Sequence, residues 1–386
     1  MGENVSNEED ILFRFRNLLG MTATAVGLTL AVTACHPGDS IAGAGSDTTF
    51  DLFKPLTSAY NGSASRQGDV AFNIPPKLSG SETFTVEGDT KCGSRTYNTT
   101  TNVPPDGSSA GISALVADTQ GCIDFARSSR GRKDSDPANL EFYAFARDAV
   151  TWARFGSACP GGDAGPAGCA PANLSQSQLQ GIYLCDQPGF LPKFTNWAQV
   201  GGDNEPIRRY LPQTGSGTLS FFETKVLGLV SAQQGVLDDT SCATRPTRVQ
   251  ETNGTSVGID FKAFAILPYS YAQYTAQRNG VIADTRGGAL LGSINGVAPS
   301  ATSIGNNTFL GTRFVYNVTK TSSPSYGRAL NFVGVRTAAN GGNGFICSDN
   351  SSVQATISRY GFIPLSLASA GAGLPTSRCR KNPAPL

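Results

Sequence analysis

Small hydroxyl residues set among glycines occur at several points of this chain, directly before apolar helical patterns. The most complete example is Gly215-Ser216-Gly217-Thr218. Leu219, Phe222 and Val226 follow it at i, i+3 and i+7, which predicts one buried helix face. The first N–H groups of a helix lack partners within the helix and lie at its positive end. This turn therefore predicts an anion site that needs no metal.

Three other segments have related compositions. Ser46 to Phe50 and Gly107 to Gly111 each place hydroxyls and glycine before an apolar-faced helix. Arg127-Ser128-Ser129 ends an apolar strand and supplies a guanidinium with two hydroxyls. Helix N-termini, hydroxyl donors and an arginine fork that converge make a dehydrated site for a tetrahedral oxyanion.

The composition is that of a globular or secreted protein. The chain has 386 residues, of which 39% are hydrophobic and 15% charged, with 45 glycines and 22 prolines. Its formal net charge is +1 and it has no basic block, so nothing supports nucleic-acid binding. The cysteine spacings match no zinc ribbon and the single histidine is His36, so we expect neither a metal nor a cofactor.

The N-terminus predicts export. Arg14 and Arg16 precede an apolar stretch over 18–32, which ends in Val32-Thr33-Ala34-Cys35. A short apolar segment that closes on small residues is typical of a secretory signal. A cysteine at this point resembles a bacterial lipobox, which makes Cys35 the expected lipidation site. An uncleaved anchor and plain secretion remain the alternatives.

The other eight cysteines are an even number, which outside the cytosol indicates disulfides. Sequence alone cannot choose the connectivity, and we favour pairing of neighbours along the chain. That pairing would be Cys92–Cys122, Cys159–Cys169, Cys185–Cys242 and Cys347–Cys379.

Short strand patterns alternate with helical ones, which predicts α/β architecture with parallel sheets. Helical patterns are expected around Leu52, Leu56 and Tyr60, after Gly107 and over Asn173 to Tyr183. Strands are expected over Phe142 to Trp152 and Arg313 to Val318, and short strands with long loops over 61–106. In such sheets ligands bind beyond the carboxyl ends of the strands, where helix N-termini also lie.

In this order the motifs resemble those of the phosphate-binding lipoproteins of bacterial ABC phosphate transporters. Thr49-Phe50 matches the end of a family turn, Gly107-Ser108-Ser109 a family Gly-Ser-Ser turn, and Ser216-Gly217-Thr218 the family's Ser-Gly-Thr loop. Leu179 to Tyr183, followed by Thr195-Asn196-Trp197, is similar to a further family motif.

The resemblance implies a two-lobed, type II periplasmic-binding-protein fold in which each lobe is a mixed, mostly parallel sheet flanked by helices, with a two-strand hinge. We expect residues 1–35 to be the signal peptide. Lobe 1 would comprise residues 36–150 and 313–386, and lobe 2 residues 151–312.

The resemblance, together with the arginine fork that Arg127 supplies, predicts which residues bind phosphate. The expected set is Thr49, Phe50, Ser108, Arg127, Ser129, Ser216, Gly217 and Thr218, with Thr48, Asp47, Ser109 and Ser128 as further candidates. For Arg127 a solvated or ion-paired position at the strand end is the alternative, and for Asp47 a helix-cap or turn role.

Two departures from the family pattern concern charge. The family's buried aspartate, which accepts a proton of monobasic phosphate, has its slot at Ser129, and the family arginine falls on Pro212. A carboxylate repels fully deprotonated anions, so its loss predicts weaker rejection of sulfate. Asp47 could supply a hydrogen-bond acceptor in place of the missing family aspartate.

The implied function is a monomeric extracytoplasmic lipoprotein that captures inorganic phosphate and delivers it to an ABC permease, with the membrane contacted only through the lipid. A phosphate- or sulfate-type sensor or surface-binding protein is the alternative. A secreted phosphatase is disfavoured because a serine nucleophile needs a positioned base and His36 is the single histidine.

Overall fold

The computed structural model describes residues 39–88, 90–160, 168–185, 192–230, 242–336, 342–365, 378–384 and 386. The expected signal peptide and lipidation site, Cys35, lie outside these residues, as does His36. None of the helices in the described ranges has the length and hydrophobicity needed to cross a membrane.

The strands within these ranges are β1 (Ser40–Gly45), β2 (Val70–Asn73), β3 (Phe84–Val86), β4 (Arg95–Tyr97), β5 (Phe125–Ser128), β6 (Leu140–Phe155), β7 (Asn173–Leu174), β8 (Arg208–Pro212), β9 (Thr247–Val249), β10 (Ala265–Ser270), β11 (Ala289–Leu291), β12 (Ser293–Ile294), β13 (Thr312–Lys320), β14 (Ile363–Pro364) and β15 (Arg380–Lys381). The α-helices are α1 (Asp47–Asn61), α2 (Ser108–Ala117), α3 (Gln176–Tyr183), α4 (Gly217–Phe221), α5 (Tyr271–Arg278), α6 (Ala301–Gly305), α7 (Tyr326–Val333) and α8 (Ser351–Arg359).

One large sheet organises the described residues, in the strand order β2-β1-β5-β13-β6-β10-β8-β9. Strands β2, β1 and β5 are parallel, as are β10, β8 and β9 at the other end. The central strands β13 and β6 run antiparallel to each other and to the strands beside them. The fold is therefore mixed α/β, and the expected fold class is confirmed.

Strand β6 connects the two ends of the sheet, because it pairs with β13 along one part of its length and with β10 along the next. β6 pairs with β13 from Leu140 to Ala149, and β6 then continues along β10 to Ala153. Tyr143 and Phe145 of β6 belong to one apolar cluster, whereas Val150 and Trp152 belong to another. β6 contributes residues to four apolar clusters along its length, and the lobe boundaries expected near 150 and 312 stay a prediction.

Local sequence signals account for most of the element boundaries. Helix α3 begins three residues later than predicted because Ser175 caps it: its hydroxyl accepts from the Gln178 N–H, and the Gln178 side chain accepts from the Ser175 N–H. Leu219, Phe222 and Val226 are buried as the helical spacing predicts. Helix α4 ends at Phe221, and a π-helical turn continues it over Phe222–Val226.

The disulfide prediction is confirmed at all four positions. The structure pairs Cys92 with Cys122, Cys159 with Cys169, Cys185 with Cys242 and Cys347 with Cys379. Each bridge closes a loop of a few tens of residues or less, which limits the freedom of the unfolded chain.

Candidate functional site

The N-termini of three helices bring serine and threonine hydroxyls together. Thr48 Oγ1 in α1 lies 3.2 Å from Thr218 Oγ1 in α4 and 3.4 Å from Ser129 Oγ. Ser129 Oγ lies 3.2 Å from Ser108 Oγ in α2. These four residues and Ser216 are buried. We call Thr48, Ser108, Ser129, Ser216 and Thr218 the hydroxyl cluster.

Glycines allow this close approach. A Cβ on Gly217 would lie 2.2 Å from Ser108 Oγ and 2.4 Å from Ser129 Oγ. Gly107 has φ +98°, and a Cβ there would lie 2.5 Å from the Gly215 carbonyl oxygen. A side chain at either position would separate the α2 and α4 turns, so both glycines are needed for the cluster to form.

Arg313 is the cation that contacts the hydroxyl cluster. Its Nη2 lies 3.1 Å from Thr218 Oγ1 and 3.4 Å from Thr48 Oγ1, and its Nη1 donates to the Ser129 carbonyl at 3.0 Å. Asp148 on β6 holds the guanidinium through Nη2 at 2.7 Å and Nε at 3.1 Å. Arg313 is 1% exposed and Asp148 is fully buried, so this ion pair is screened from solvent.

Asp148 is itself fixed by the start of α5. The Ser270 hydroxyl donates to Asp148 Oδ2 at 2.8 Å, and the Ala272 N–H donates to Oδ1 at 2.9 Å. With Arg313, Oδ2 accepts three hydrogen bonds and Oδ1 accepts one. A buried ion pair is tolerated only when its remaining polar atoms are bonded in this way. The result is a guanidinium held rigidly against Thr48 and Thr218.

A buried carboxylate also contacts the cluster. Glu251 follows β9, and its Oε1 accepts from the Thr48 N–H at 3.0 Å and from Thr48 Oγ1 at 2.6 Å. Its Oε2 accepts from the Ser216 hydroxyl. Because the Thr48 N–H belongs to the first turn of α1, Glu251 lies where the helix favours negative charge.

Arg127 does not fill the expected role. Its Nη1 donates to the Gly43 carbonyl at 2.8 Å and to Asn73 Oδ1 at 2.7 Å, and its Nη2 donates to the carbonyls of Gly45 and Ile74. The terminal hydrogens of the guanidinium are therefore used within the β1–β2 region. Burial lowers the pKa of Arg127 to about 9. The solvated or ion-paired alternative is also wrong, because oxygens without formal charge hold it in the interior.

Other candidates lie beside the cluster rather than in it. Ser128 Oγ donates to the Arg130 carbonyl, and Ser109 Oγ accepts from Arg130 Nε. Asp47 Oδ2 accepts from the side-chain amides of Gln213 and Gln250. Burial, followed by the charges of Glu251 and Asp106, raises the pKa of Asp47 well above its usual range.

Thr49 and Phe50 lie in the same turn of α1, but their side chains have different surroundings. The Thr49 hydroxyl is buried and has no hydrogen-bond partner among the described residues, and the same holds for Ser46. A buried hydroxyl without a partner is costly, so a ligand that bonded to it would be stabilised. The Phe50 ring is half-buried and lies 5.5 Å from the Arg127 guanidinium carbon.

Sequence reasoning missed Arg313, Asp148 and Glu251. Arg313 and Asp148 stand within buried strands, where charged residues are rare unless paired, and this was the available signal. The sequence around Glu251 contains no such signal, because this glutamate stands alone in a polar segment. The expected acceptor, Asp47, is engaged by amides, and Glu251 supplies the carboxylate at the cluster instead.

The site therefore combines many donors with one acceptor. The hydroxyls of Ser108, Ser129 and Thr218 and the Arg313 guanidinium can donate to an oxyanion, whereas the Thr48 N–H and the hydroxyls of Thr48 and Ser216 donate to Glu251. Glu251 can only accept when ionised. This arrangement suits an oxyanion that carries a proton of its own.

The chain belongs to the periplasmic-binding-protein (PBP) superfamily, because the profile of the PBP superfamily domain matches residues 85–324, more than half of its length. No curated protein sequence matches the chain.

Solved structures of similar fold were also found. One, from Clostridium perfringens, is described as a phosphate ABC transporter substrate-binding protein with bound phosphate. It is 17% identical with a TM-score of 0.55, over 85% of this chain and 100% of its own. Another, described as an ABC-type phosphate transport receptor from Vibrio cholerae, is 18% identical with a TM-score of 0.52, over 84% of this chain and 100% of its own. At these identities the likeness establishes the fold.

Proposed function

We propose that this protein binds inorganic phosphate in the hydroxyl cluster and delivers it to an ABC permease. One observation carries the proposal: the Thr48 hydroxyl lies within 3.4 Å of the hydroxyls of both Ser129 and Thr218, beside the buried Arg313 guanidinium. The relatives from Clostridium perfringens and Vibrio cholerae, described as phosphate proteins, add to this support.

We further infer that the anion is enclosed between two lobes, 36–150 with 313–386 and 151–312. The ligand groups would come from both, Thr48 and Ser129 from the first and Ser216 and Thr218 from the second. β6 and β13 would be the hinge, because a few strand residues can absorb the change in backbone angles that closure requires. The Ser109 N–H bond to the Gly215 carbonyl, at 3.0 Å, would join the closed lobes.

Glu251 gives the proposed site a basis for selectivity. Phosphate keeps at least one proton at neutral pH and can donate it to the Glu251 carboxylate. Sulfate has no proton, so it would bring acceptor against acceptor and charge against charge. We propose that the site rejects sulfate through Glu251, in place of the weaker rejection expected from the sequence.

A binding role is favoured over a catalytic one. A serine nucleophile needs a base positioned to take its proton. The Ser216 hydroxyl does donate to Glu251, but Glu251 also accepts from Thr48, which favours a fixed acceptor over a catalytic base. If purified protein turned over a chromogenic phosphate ester, this preference would be wrong.

Isothermal titration of anion-stripped protein with phosphate, arsenate and sulfate tests the proposal. Phosphate and arsenate should bind at one site per chain, and sulfate should bind much more weakly. Absence of phosphate binding would refute it.

We also propose that the protein is a monomer, anchored by a lipid on Cys35 to the outer side of the cell membrane. A permease and an ATPase encoded beside this gene would favour transport over a sensor role.

A further inference from the structure

Two carboxylates and two side-chain amides form a closed ring of hydrogen bonds beside the hydroxyl cluster. Gln213 Nε2 donates to Asp47 Oδ2 at 2.9 Å and to Asp106 Oδ1 at 3.1 Å. Gln250 Nε2 donates to the same two oxygens, with a distance of 3.1 Å to Asp106 Oδ1. Each amide therefore uses both of its hydrogens, and each of the two oxygens accepts two bonds. We call Asp47, Asp106, Gln213 and Gln250 the amide clasp.

Every bond in this ring runs between the two predicted lobes. Asp47 and Asp106 belong to residues 36–150 of lobe 1, whereas Gln213 and Gln250 belong to residues 151–312 of lobe 2. None of the four bonds lies within one lobe, so the amide clasp can form only when the lobes meet. A carboxyl oxygen can accept both amides whether or not the other oxygen of its group carries a proton.

Short pieces of backbone join the lobe 1 half of the amide clasp to the hydroxyl cluster. Asp47 directly precedes Thr48 in the first turn of α1, and Asp106 stands two residues before Ser108 at the start of α2. A shift of either aspartate would therefore move a hydroxyl that is proposed to bind the anion.

The lobe 2 half is joined to the site in the same way. Gln250 directly precedes Glu251, and Gln213 Oε1 accepts from the Glu251 N–H at 2.8 Å. The Gln213 carbonyl accepts from the Ser216 N–H at 3.1 Å. The side chain of Gln213 thus connects the backbone of Glu251 to both aspartates of the other lobe.

The amide clasp is placed where its bonds can break and form again. Its four side chains are half-buried, and Asp47 and Gln250 line a cavity of about 460 Å³ whose walls come from both predicted lobes. Water could replace these bonds when the lobes part. Because bonds that are exchanged for bonds to water contribute modestly, four of them favour closure without preventing opening.

We propose that the amide clasp holds the two lobes closed over the bound anion and thereby sets the rate at which phosphate is released. Its members are positioning residues, because they act through the hydroxyl cluster and Glu251. A contact made only in the closed form slows release and leaves the capture of phosphate by the open form unchanged. This inference rests on the proposed function, since it needs an anion in the hydroxyl cluster.

Release of radiolabelled phosphate after dilution into unlabelled phosphate tests this inference. Gln250→Met keeps a side chain of similar length but removes two of the four bonds without adding charge. It should raise the release rate about tenfold or more, while the capture rate changes by less than about threefold. A role in the folded structure alone would not separate the two rates in this way.

A second variant has a matched control. Gln213→Glu keeps an oxygen that can accept from the Glu251 N–H but sets a third carboxylate against Asp47 and Asp106, and it should also raise the release rate about tenfold or more. Gln180→Glu is the control, because half-buried Gln180 donates to the Leu227 carbonyl at 2.9 Å, within lobe 2. Its release rate should equal that of the unaltered protein.

Inverting the amide clasp separates its hydrogen bonds from a general loss of structure. The variant Asp47→Asn/Asp106→Asn/Gln213→Glu/Gln250→Glu exchanges carboxylates and amides and leaves the net charge unchanged. Each new amide can donate to both new carboxylates, so the release rate should return to within about threefold of that of the unaltered protein. In small-angle X-ray scattering without phosphate, Gln213→Glu should have a larger radius of gyration than Gln180→Glu.

Two results would overturn the inference. One is release from Gln250→Met at the rate of the unaltered protein. The other is an inverted variant that folds but releases phosphate as fast as Gln213→Glu. If the unaltered protein bound no phosphate, the proposed function would fail instead, and the scattering comparison would still show whether the amide clasp closes the lobes.

Discussion

Replacing Glu251 with glutamine should reverse the anion selectivity of the proposed phosphate site. The substitution preserves shape and keeps one oxygen that can accept from Thr48. It replaces the other oxygen with an N–H donor and removes the charge. Phosphate would then lose its acceptor, whereas sulfate would lose a repulsive charge and gain a donor.

The structure sets the size of this effect. Glu251 is 2% exposed, so its interactions are weakly screened. One hydrogen bond to a charged group contributes about 1.5–3 kcal/mol. Phosphate affinity should therefore fall by about tenfold or more, sulfate affinity should rise by a similar factor, and the ratio of the two affinities should change by about 100-fold or more.

Titration calorimetry at neutral pH with both anions measures this ratio. Glu141→Gln is the matched control, because Glu141 is a half-buried glutamate that accepts from Tyr143, Tyr326 and Lys381 and makes no bond to the hydroxyl cluster. Both affinities should be unchanged in that control. If Glu251→Gln tightened phosphate and sulfate binding equally, Glu251 would be a simple repulsive charge and the reasoning would be refuted.

Three further substitutions test the site and its surroundings. Thr218→Val removes a hydroxyl beside Arg313 and should weaken phosphate binding by about 1–3 kcal/mol in calorimetry; unchanged affinity would place the anion elsewhere. Gly217→Ala inserts a methyl group among the serine hydroxyls and should abolish phosphate binding, whereas Gly327→Ala, which enters open space, should not. Asp47→Asn should raise the free energy of unfolding at neutral pH and flatten its dependence on pH. Because the pKa of Asp47 is raised by folding, its stabilising contribution is full below the unfolded pKa of about 3.9 and is lost as pH rises through the folded value. If the denaturation curves of Asp47→Asn and the unaltered protein were equal at neutral pH, the predicted increase in the free energy of unfolding would be wrong.

Local sequence signals predicted the parts of the site that depend on local structure. Ser108, Ser216 and Thr218 could be predicted because each stands next to a glycine at a helix N-terminus, where the hydrogen bonds involve residues a few positions apart. The disulfides followed a similar rule, since every pair joins neighbouring cysteines.

The charged groups could not be predicted from the same signals. Arg313 meets Thr48 across 265 positions of sequence, and Glu251 meets Thr48 across 203. Such contacts are set by strand order and register, which one sequence does not specify. Arg127 shows the same limit: the strand was predicted, but the carbonyl and amide oxygens of Gly43 and Asn73 hold its side chain away from the hydroxyl cluster.

A crystal structure of the protein with phosphate would test the central claim most directly. We expect one anion within hydrogen-bond distance of the hydroxyls of Thr48, Ser129 and Thr218 and of the Arg313 guanidinium, with one protonated phosphate oxygen donating to Glu251. An anion bound away from the hydroxyl cluster, with Glu251 still accepting from Thr48 and Ser216, would contradict it.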